Sequence, residues 1–260
     1  MRLLGEYFAI GGMPEAVFTW INGQNLLPCI DIHTNILESY RQDFVKYSRK
    51  KQIKYVEKIF RETPGLVGRK FKYSSISGNY RARELRPALD LLDKGYLINK
   101  IYHSAANGLP LGAEANPEKF KLLFLDIGLM QTMLGNDTAP WIYDTYTTFV
   151  NKGQVAEAFV GQELLCYGSL GLKRQLHYWH REAKSSNAEV DYIISVKQEI
   201  IPIEVKSGAI GKNKSLDLFL RSHPTVPYGI LMSPKNYMEK KQQICLPLYY
   251  IYALLDLAPP

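Results

Sequence analysis

Apolar residues in the N-terminal half recur every three to four positions, as on the buried face of an α-helix. Asn35 followed by Glu38 is typical of a capping box, so a helix is expected to begin there and to run to about Ser48. A second helix is predicted from Gln52 to about Glu62, ending before Pro64. Upstream, the apolar stretch 4–20 is interrupted by Gly11-Gly12-Met13-Pro14, which predicts a short helix and a turn.

A third helix and two strands are predicted next. The helix covers Arg81–Asp93, a strand covers Tyr96–Tyr102, and a loop rich in Gly, Pro and Asn leads to the apolar run Lys121–Leu125. Three helices followed by a hairpin is the order of a winged helix, whose third helix can enter a DNA major groove. The candidate nucleic-acid-binding residues on that helix are Arg81, Arg83 and Arg86.

The pattern changes after Gly153, where helices and strands alternate. The predicted elements are a helix at 154–167, strands at 175–180, 189–196 and 199–206, a helix at 213–221, and a strand at 228–232. This order predicts a mixed sheet with helices packed on it, and an α+β fold for the whole chain. We therefore expect an N-terminal helical segment at 1–33, a winged-helix-like domain at 34–138 and an α/β domain at 150–256.

Net charge is concentrated in one part of the chain. The 260 residues carry a net charge of +7, and the segment 41–103 alone holds 16 basic against 6 acidic residues, a net +10. A localised basic surface is typical of nucleic-acid binding, although solvated helix faces would give the same excess. The three cysteines include no CxxC pair, so neither a disulfide framework nor a cysteine-rich zinc site is expected. With no long apolar stretch and no signal-peptide pattern, we expect a soluble, cytoplasmic protein without a membrane partner.

The chemically distinctive segment is a pair of apolar strands that carry charged residues. Asp191 lies in the first strand, and Glu204 and Lys206 flank Val205 in the second, so those two side chains share a face. The carboxylates of Asp191 and Glu204, with the Val205 carbonyl, would suit Mg²⁺ or Mn²⁺. Lys206 could orient a water and oppose the charge on a phosphate. The alternative is a structural ion pair between Lys206 and Glu204.

Asp191 followed by Glu204-x-Lys206 resembles the D…(D/E)xK core of the PD-(D/E)XK, restriction-endonuclease-like superfamily. In that superfamily, a glutamate on the helix before the sheet commonly completes the site. The resemblance assigns this role to Glu157, with Glu163 as the alternative. It implies a nuclease-like fold and a catalytic set of Glu157, Asp191, Glu204 and Lys206.

Most of the chain also resembles the C-terminal half of prokaryotic AAA-type ATPases, a winged helix followed by a nuclease-like domain of unknown function. The matching segments are 11–17, 40–47, 121–129, 153–165 and the two charged strands. The ATPase half carries a phosphate-binding loop, whereas this chain has no GxxxxGK[ST], and Gly208–Asn213 lacks its spacing and hydroxyl. No ATPase activity is therefore expected of this chain. An ATPase half absent from this chain is an expected partner.

Two functions follow from the sequence. The first is metal-dependent phosphodiester hydrolysis on nucleic acid, most simply DNA held by the basic half. The second is a non-catalytic DNA- or protein-binding module associated with an AAA-type ATPase.

Overall fold

The computed structural model describes residues 1–167, 175–181, 188–207 and 213–255. The chain forms two compact units by its internal contacts. The first unit comprises residues 1–100 and 121–148, and the second comprises the described parts of 101–120 and 149–260.

The first unit is helical. Its helices are α1 (Arg2–Ile10), α2 (Pro14–Gly23), α3 (Leu26–Tyr47), α4 (Lys50–Leu66), α5 (Ala82–Lys94), α6 (Ile127–Met133) and α7 (Ala139–Tyr143); α8 (Thr145–Asn151) begins in it. Phe8 and Trp141 are fully buried and stack with ring centroids 4.8 Å apart, which fixes α7 on α1. Phe60 packs against Phe44 and Phe124 in the same core.

Two predicted helix boundaries are wrong. Helix α3 does not begin at Asn35 but at Leu26, because the Asn25 side chain caps it by accepting the Leu27 N–H at 3.1 Å. Helix α4 does not end before Pro64 but includes it in its last turn. There the Thr63 hydroxyl donates to the Ile59 carbonyl, and Pro64 itself is buried, so packing offsets the missing N–H.

Within the described residues, eight strands form one mixed sheet. They are β1 (Ile98–Ser104), β2 (Ala115–Phe124), β3 (His177–His180), β4 (Glu189–Val196), β5 (Glu199–Val205), β6 (Gly229–Ser233), β7 (Met238–Lys240) and β8 (Gln243–Pro247). The strand order is β2-β1-β3-β4-β5-β6-β8-β7. Strands β3–β4, β4–β5 and β7–β8 pair antiparallel, whereas β1–β3, β5–β6 and β6–β8 pair parallel.

The second unit adds helices to this sheet. They are α9 (Gly153–Cys166) and α10 (Lys214–Ser222), and a 3₁₀ helix covers Leu248–Leu255. Leu216, Phe219 and Leu220 of α10 form a core with Ile193 of β4 and Ile200 of β5. A helical N-terminal region followed by a mixed sheet with helices confirms the predicted α+β class. In the described residues, no helix has both the length and the apolar character needed to cross a membrane.

Candidate active site

The β4–β5 hairpin carries the acidic residues singled out by the sequence. Its turn, Lys197–Gln198, has left-handed φ values of 48° and 69°, which suit a two-residue hairpin connection. Pairing runs from Val196 opposite Glu199 to Tyr192 opposite Ile203. Asp191 and Glu204 each lie one residue beyond that last pair. Both therefore lie at the open end of the hairpin, away from its turn.

The backbone of β4 is irregular at Asp191. His177 pairs with Ile193 and Trp179 with Val190, so β4 spans three residues where β3 spans two. The extra residue makes a bulge at Asp191–Tyr192, a device that redirects side chains. The Asp191 Oδ2 atom accepts a hydrogen bond from the Val205 N–H at 2.8 Å. In an extended residue the N–H and the C=O point to the same side of the strand, so the Val205 carbonyl is expected to face β4 as its N–H does.

Glu204 and Lys206 form an ion pair. The Lys206 Nζ atom lies 2.5 Å from Glu204 Oε1, and the Glu204 side chain is only 7% exposed while that of Lys206 is 36% exposed. Burying a carboxylate is costly unless a cation accompanies it, and Lys206 is that cation. The Lys206 backbone N–H donates to the Met232 carbonyl of β6, which fixes the end of β5 in the sheet.

Glu157 lies on α9, beside β4. The buried Tyr192 hydroxyl donates to the Glu157 carbonyl at 2.7 Å. Burial raises the pKa of Tyr192, and the carboxylates of Glu157 and Asp191 raise it further. Glu163, by contrast, acts on Tyr167: burial and the hydrogen bond with Glu163 raise the pKa of Tyr167 to about 12. Glu157 is thus the α9 carboxylate that shares an environment with Asp191.

Few potential metal ligands lie close together at the open end of the hairpin. Across the described ranges, no three His, Cys, Asp or Glu side chains are arranged to hold a metal ion. The oxygen donors at the hairpin end are the carboxylates of Asp191 and Glu204 and the Val205 carbonyl. Oxygen donors of this kind suit Mg²⁺ or Mn²⁺, and Mg²⁺ sites often use only one or two protein carboxylates. Of the segment Gly208–Asn213, considered for a phosphate loop, residues 208–212 lie outside the described residues.

The first unit exposes the predicted arginines at the start of α5. Arg81, Arg83 and Arg86 are all exposed. Arg81 is the N-cap residue, and its backbone N–H donates to Glu84 Oε2 at 2.8 Å. Arg86 lies over the Tyr73 ring, 5.9 Å from its centroid, so part of its charge is already engaged with the protein.

Sequence reasoning missed a basic groove beside these arginines. A cavity of about 480 Å³ lies between the N-terminal ends of α4 and α5, and its cations are Lys50, Lys51, Lys54 and Arg83. Its one carboxylate, Glu84, is occupied by Tyr55, whose hydroxyl donates to it at 2.8 Å. The sequence feature that could have predicted this groove is the run of lysines at the start of α4, where the helix N-terminus adds partial positive charge.

Comparison with known proteins gives families but no named relative. No curated protein and no solved structure matches the chain significantly. Residues 152–251 match the family model described as domain of unknown function DUF4143. Residues 1–139, more than half of the chain, match the model described as domain of unknown function DUF8612. The chain therefore belongs to the DUF8612 family.

Proposed function

We propose that this protein is a nuclease-like, metal-dependent phosphodiesterase that acts on nucleic acid, most simply DNA. The observation that carries the proposal is the open end of the β4–β5 hairpin. There the Asp191 carboxylate meets the Val205 N–H, and Glu204 lies beside Lys206. These residues supply the acidic and basic groups that hydrolysis of a phosphodiester requires.

Each residue has a proposed role. Asp191 and Glu204 hold the divalent ion, with the Val205 carbonyl as a further oxygen donor. A bound Mg²⁺ or Mn²⁺ would lower the pKa of a coordinated water and neutralise charge on the phosphoryl oxygens. Lys206 orients the attacking water and stabilises the developing negative charge. Glu157 adds a carboxylate beside Asp191, which is supported by their shared effect on Tyr192.

The oxygen donors fit a hard divalent ion better than a transition metal. Asp191, Glu204 and the Val205 carbonyl offer only oxygen, whereas zinc sites favour nitrogen and sulfur. Mg²⁺ dehydrates reluctantly, so waters and substrate phosphates commonly complete its coordination. Two carboxylates are therefore enough for a site that binds the divalent ion only together with nucleic acid.

Nucleic-acid binding is assigned to the first unit. The groove carries four cations, Lys50, Lys51, Lys54 and Arg83, against one carboxylate, Glu84. Cations of this kind attract phosphates and release counterions on binding. The exposed Arg81 and Arg86 extend the same end of α5. A cytoplasmic location and association with an AAA-type ATPase half belong to the same proposal.

A second candidate function is a non-catalytic DNA- or protein-binding module. The ion pair of Lys206 with the buried Glu204 favours it, because such a pair also stabilises a fold without catalysis. A DNA-binding module would lose affinity steeply with salt, and replacing Lys50 and Lys51 with Ala would lower that salt dependence by about two phosphate contacts. A protein-docking module would show neither effect in a DNA-binding titration.

Manganese binding separates the enzyme from the module. Calorimetric titration of Mn²⁺ into the full chain with a short DNA duplex present should show one site, which Asp191→Asn removes. The matched control, Glu189→Gln, changes a carboxylate of the same strand and should leave the site intact. Equal Mn²⁺ binding in both variants would overturn the site assignment, and no binding to the wild-type protein would favour the module.

A further inference from the structure

A cavity in the second unit has no role in the proposed chemistry. It encloses about 730 Å³ between α10 and the strands β6, β7 and β8. Its volume is within the range typical of small-molecule sites.

The floor of this cavity is apolar and continues a row across the sheet. Leu231 pairs with Cys245, and Cys245 pairs with Met238; all three residues line the cavity. Directly paired residues point to the same face of a sheet. On its other side, Leu231 of β6 pairs with Glu204 of β5. The cavity therefore opens on the face of the sheet that carries Glu204 and Lys206.

The rim of the cavity is basic. Arg221, Lys235, Lys240 and Lys241 line it, and none of the four has an ion-pair partner in the part of the chain that the structure describes. Lys241 lies in the two-residue β7–β8 turn with a left-handed φ of 54°, a conformation that disfavours residues other than glycine. The backbone of Lys241 is therefore strained in the turn that places this residue at the rim.

Hydrogen-bond acceptors lie at the other side of the cavity. Asn213 Nδ2 donates to Gln243 Oε1 at 3.2 Å, and Gln243 Nε2 donates to Asp217 Oδ1 at 2.6 Å. The Asn213 Oδ1 atom is buried and accepts no hydrogen bond from the described residues. A buried acceptor without a donor is costly, so a ligand N–H would satisfy it.

We propose that this cavity binds a nucleotide. An apolar floor suits a flat base, the unsatisfied Asn213 acceptor suits a base N–H, and the cationic rim suits a phosphate. The nucleotide could be free or could be one unit of a nucleic-acid strand, since both present the same base and phosphate. Binding goes beyond the proposed hydrolysis, because it needs neither a metal nor cleavage.

Calorimetry in EDTA tests this inference without any contribution from a divalent site. The ligands are adenosine 5′-monophosphate, adenosine, inorganic phosphate and a single-stranded DNA ten-mer, each titrated into the full chain. We expect the monophosphate to bind at least about tenfold more tightly than adenosine or phosphate, because only it engages both floor and rim. Phosphate that binds as tightly as the monophosphate would overturn the proposal.

Three variants locate the binding. Lys241→Gly removes a rim cation while giving the turn the residue its φ favours, so the fold is retained. It and Arg221→Ala should each weaken the monophosphate at least about fivefold. The control Lys94→Ala removes an exposed cation of the first unit and should have no effect.

The ten-mer distinguishes the two sources of the nucleotide. Binding of the ten-mer alone, weakened by Lys241→Gly, would support the inference with a nucleic-acid strand as the source. Binding of either ligand that neither rim variant changes would overturn it, as would the absence of binding by both.

Discussion

The buried carboxylate of Asp126 connects two segments that are far apart in the sequence: its hydrogen-bond partner Gly12 lies 114 residues earlier. Its Oδ2 accepts the Gly12 N–H at 2.8 Å, and its Oδ1 accepts the Leu129 N–H at 2.9 Å, which caps α6. Burial raises the pKa of Asp126 against the effect of these hydrogen bonds. Gly11-Gly12 and Asp126–Gly128 are therefore the two halves of one structural junction in the first unit.

Gly128 should be intolerant of any side chain. A Cβ atom there would lie 2.3 Å from the Ile10 carbonyl oxygen, a backbone atom that cannot turn away. We expect Gly128→Ala to lower the free energy of unfolding by at least about 2 kcal/mol in urea titrations. In the control Gly65→Ala, nothing lies within 4 Å of the new Cβ, and a helical alanine should add up to about 1 kcal/mol. Equal effects of the two substitutions would contradict this account of the junction.

His177 should make the protein sensitive to acid. The residue is 4% exposed, and burial lowers its pKa from 6.5 to about 4. The unfolded chain then binds the proton more readily, so this stability is complete above pH 6.5 and is lost as pH falls towards 4. The loss is about 3 kcal/mol. Urea titrations of His177→Phe should show a correspondingly flatter pH profile between pH 4 and 6.5, and a profile as steep as wild type would refute the assignment.

At the scale of elements, local patterns predicted most of the second unit. The strand at 189–196 has the predicted bounds, because a mainly apolar run and a two-residue turn are local signals. The start of α3 and the passage of α4 through Pro64 depend on capping by Asn25 and on tertiary packing, which a short window does not contain. Residues 139–149, which lie between the two predicted domains, belong mainly to two short helices, α7 and α8, and Trp141 of α7 is anchored on Phe8.

The candidate site was predictable to a similar extent. The sequence located Asp191, Glu204 and Lys206, because charged residues inside apolar strands are conspicuous. It did not reveal the bulge at Asp191, because the register shift depends on pairing with β3. The cavity beside α10 was missed for the same reason: Leu231, Cys245 and Met238 meet only through strand pairing.

The turn of the β4–β5 hairpin gives a test of that element. Gln198 has a φ of 69°, so Gln198→Gly should stabilise the protein by about 1 kcal/mol in urea titrations. The control Glu199→Gly lies in the adjacent strand and should destabilise by about 0.5–1 kcal/mol. Because the turn lies at the opposite end from Asp191, Mn²⁺ binding should be unchanged in both variants. Destabilisation by Gln198→Gly would contradict the turn geometry.

At the scale of the whole molecule, charge and chemistry are assigned to different units. The segment 41–103 carries a net +10, so the rest of the chain sums to −3. The basic groove lies in the first unit, whereas the acidic hairpin end and the large cavity lie in the second. The proposed function accounts for this distribution by assigning nucleic-acid binding to the first unit and hydrolysis to the second.

Cleavage of nucleic acid tests the central claim most directly. The full chain would be incubated with single- and double-stranded DNA and RNA in Mg²⁺ or Mn²⁺, and products would be resolved by size. We expect cleavage that requires the metal and falls at least about a hundredfold in Lys206→Ala and Asp191→Asn. The control Lys197→Ala, at the opposite end of the hairpin, should retain wild-type activity, with all variants confirmed as folded. Cleavage that survives Lys206→Ala and Asp191→Asn, or wild-type protein that cuts none of the substrates, would contradict the account.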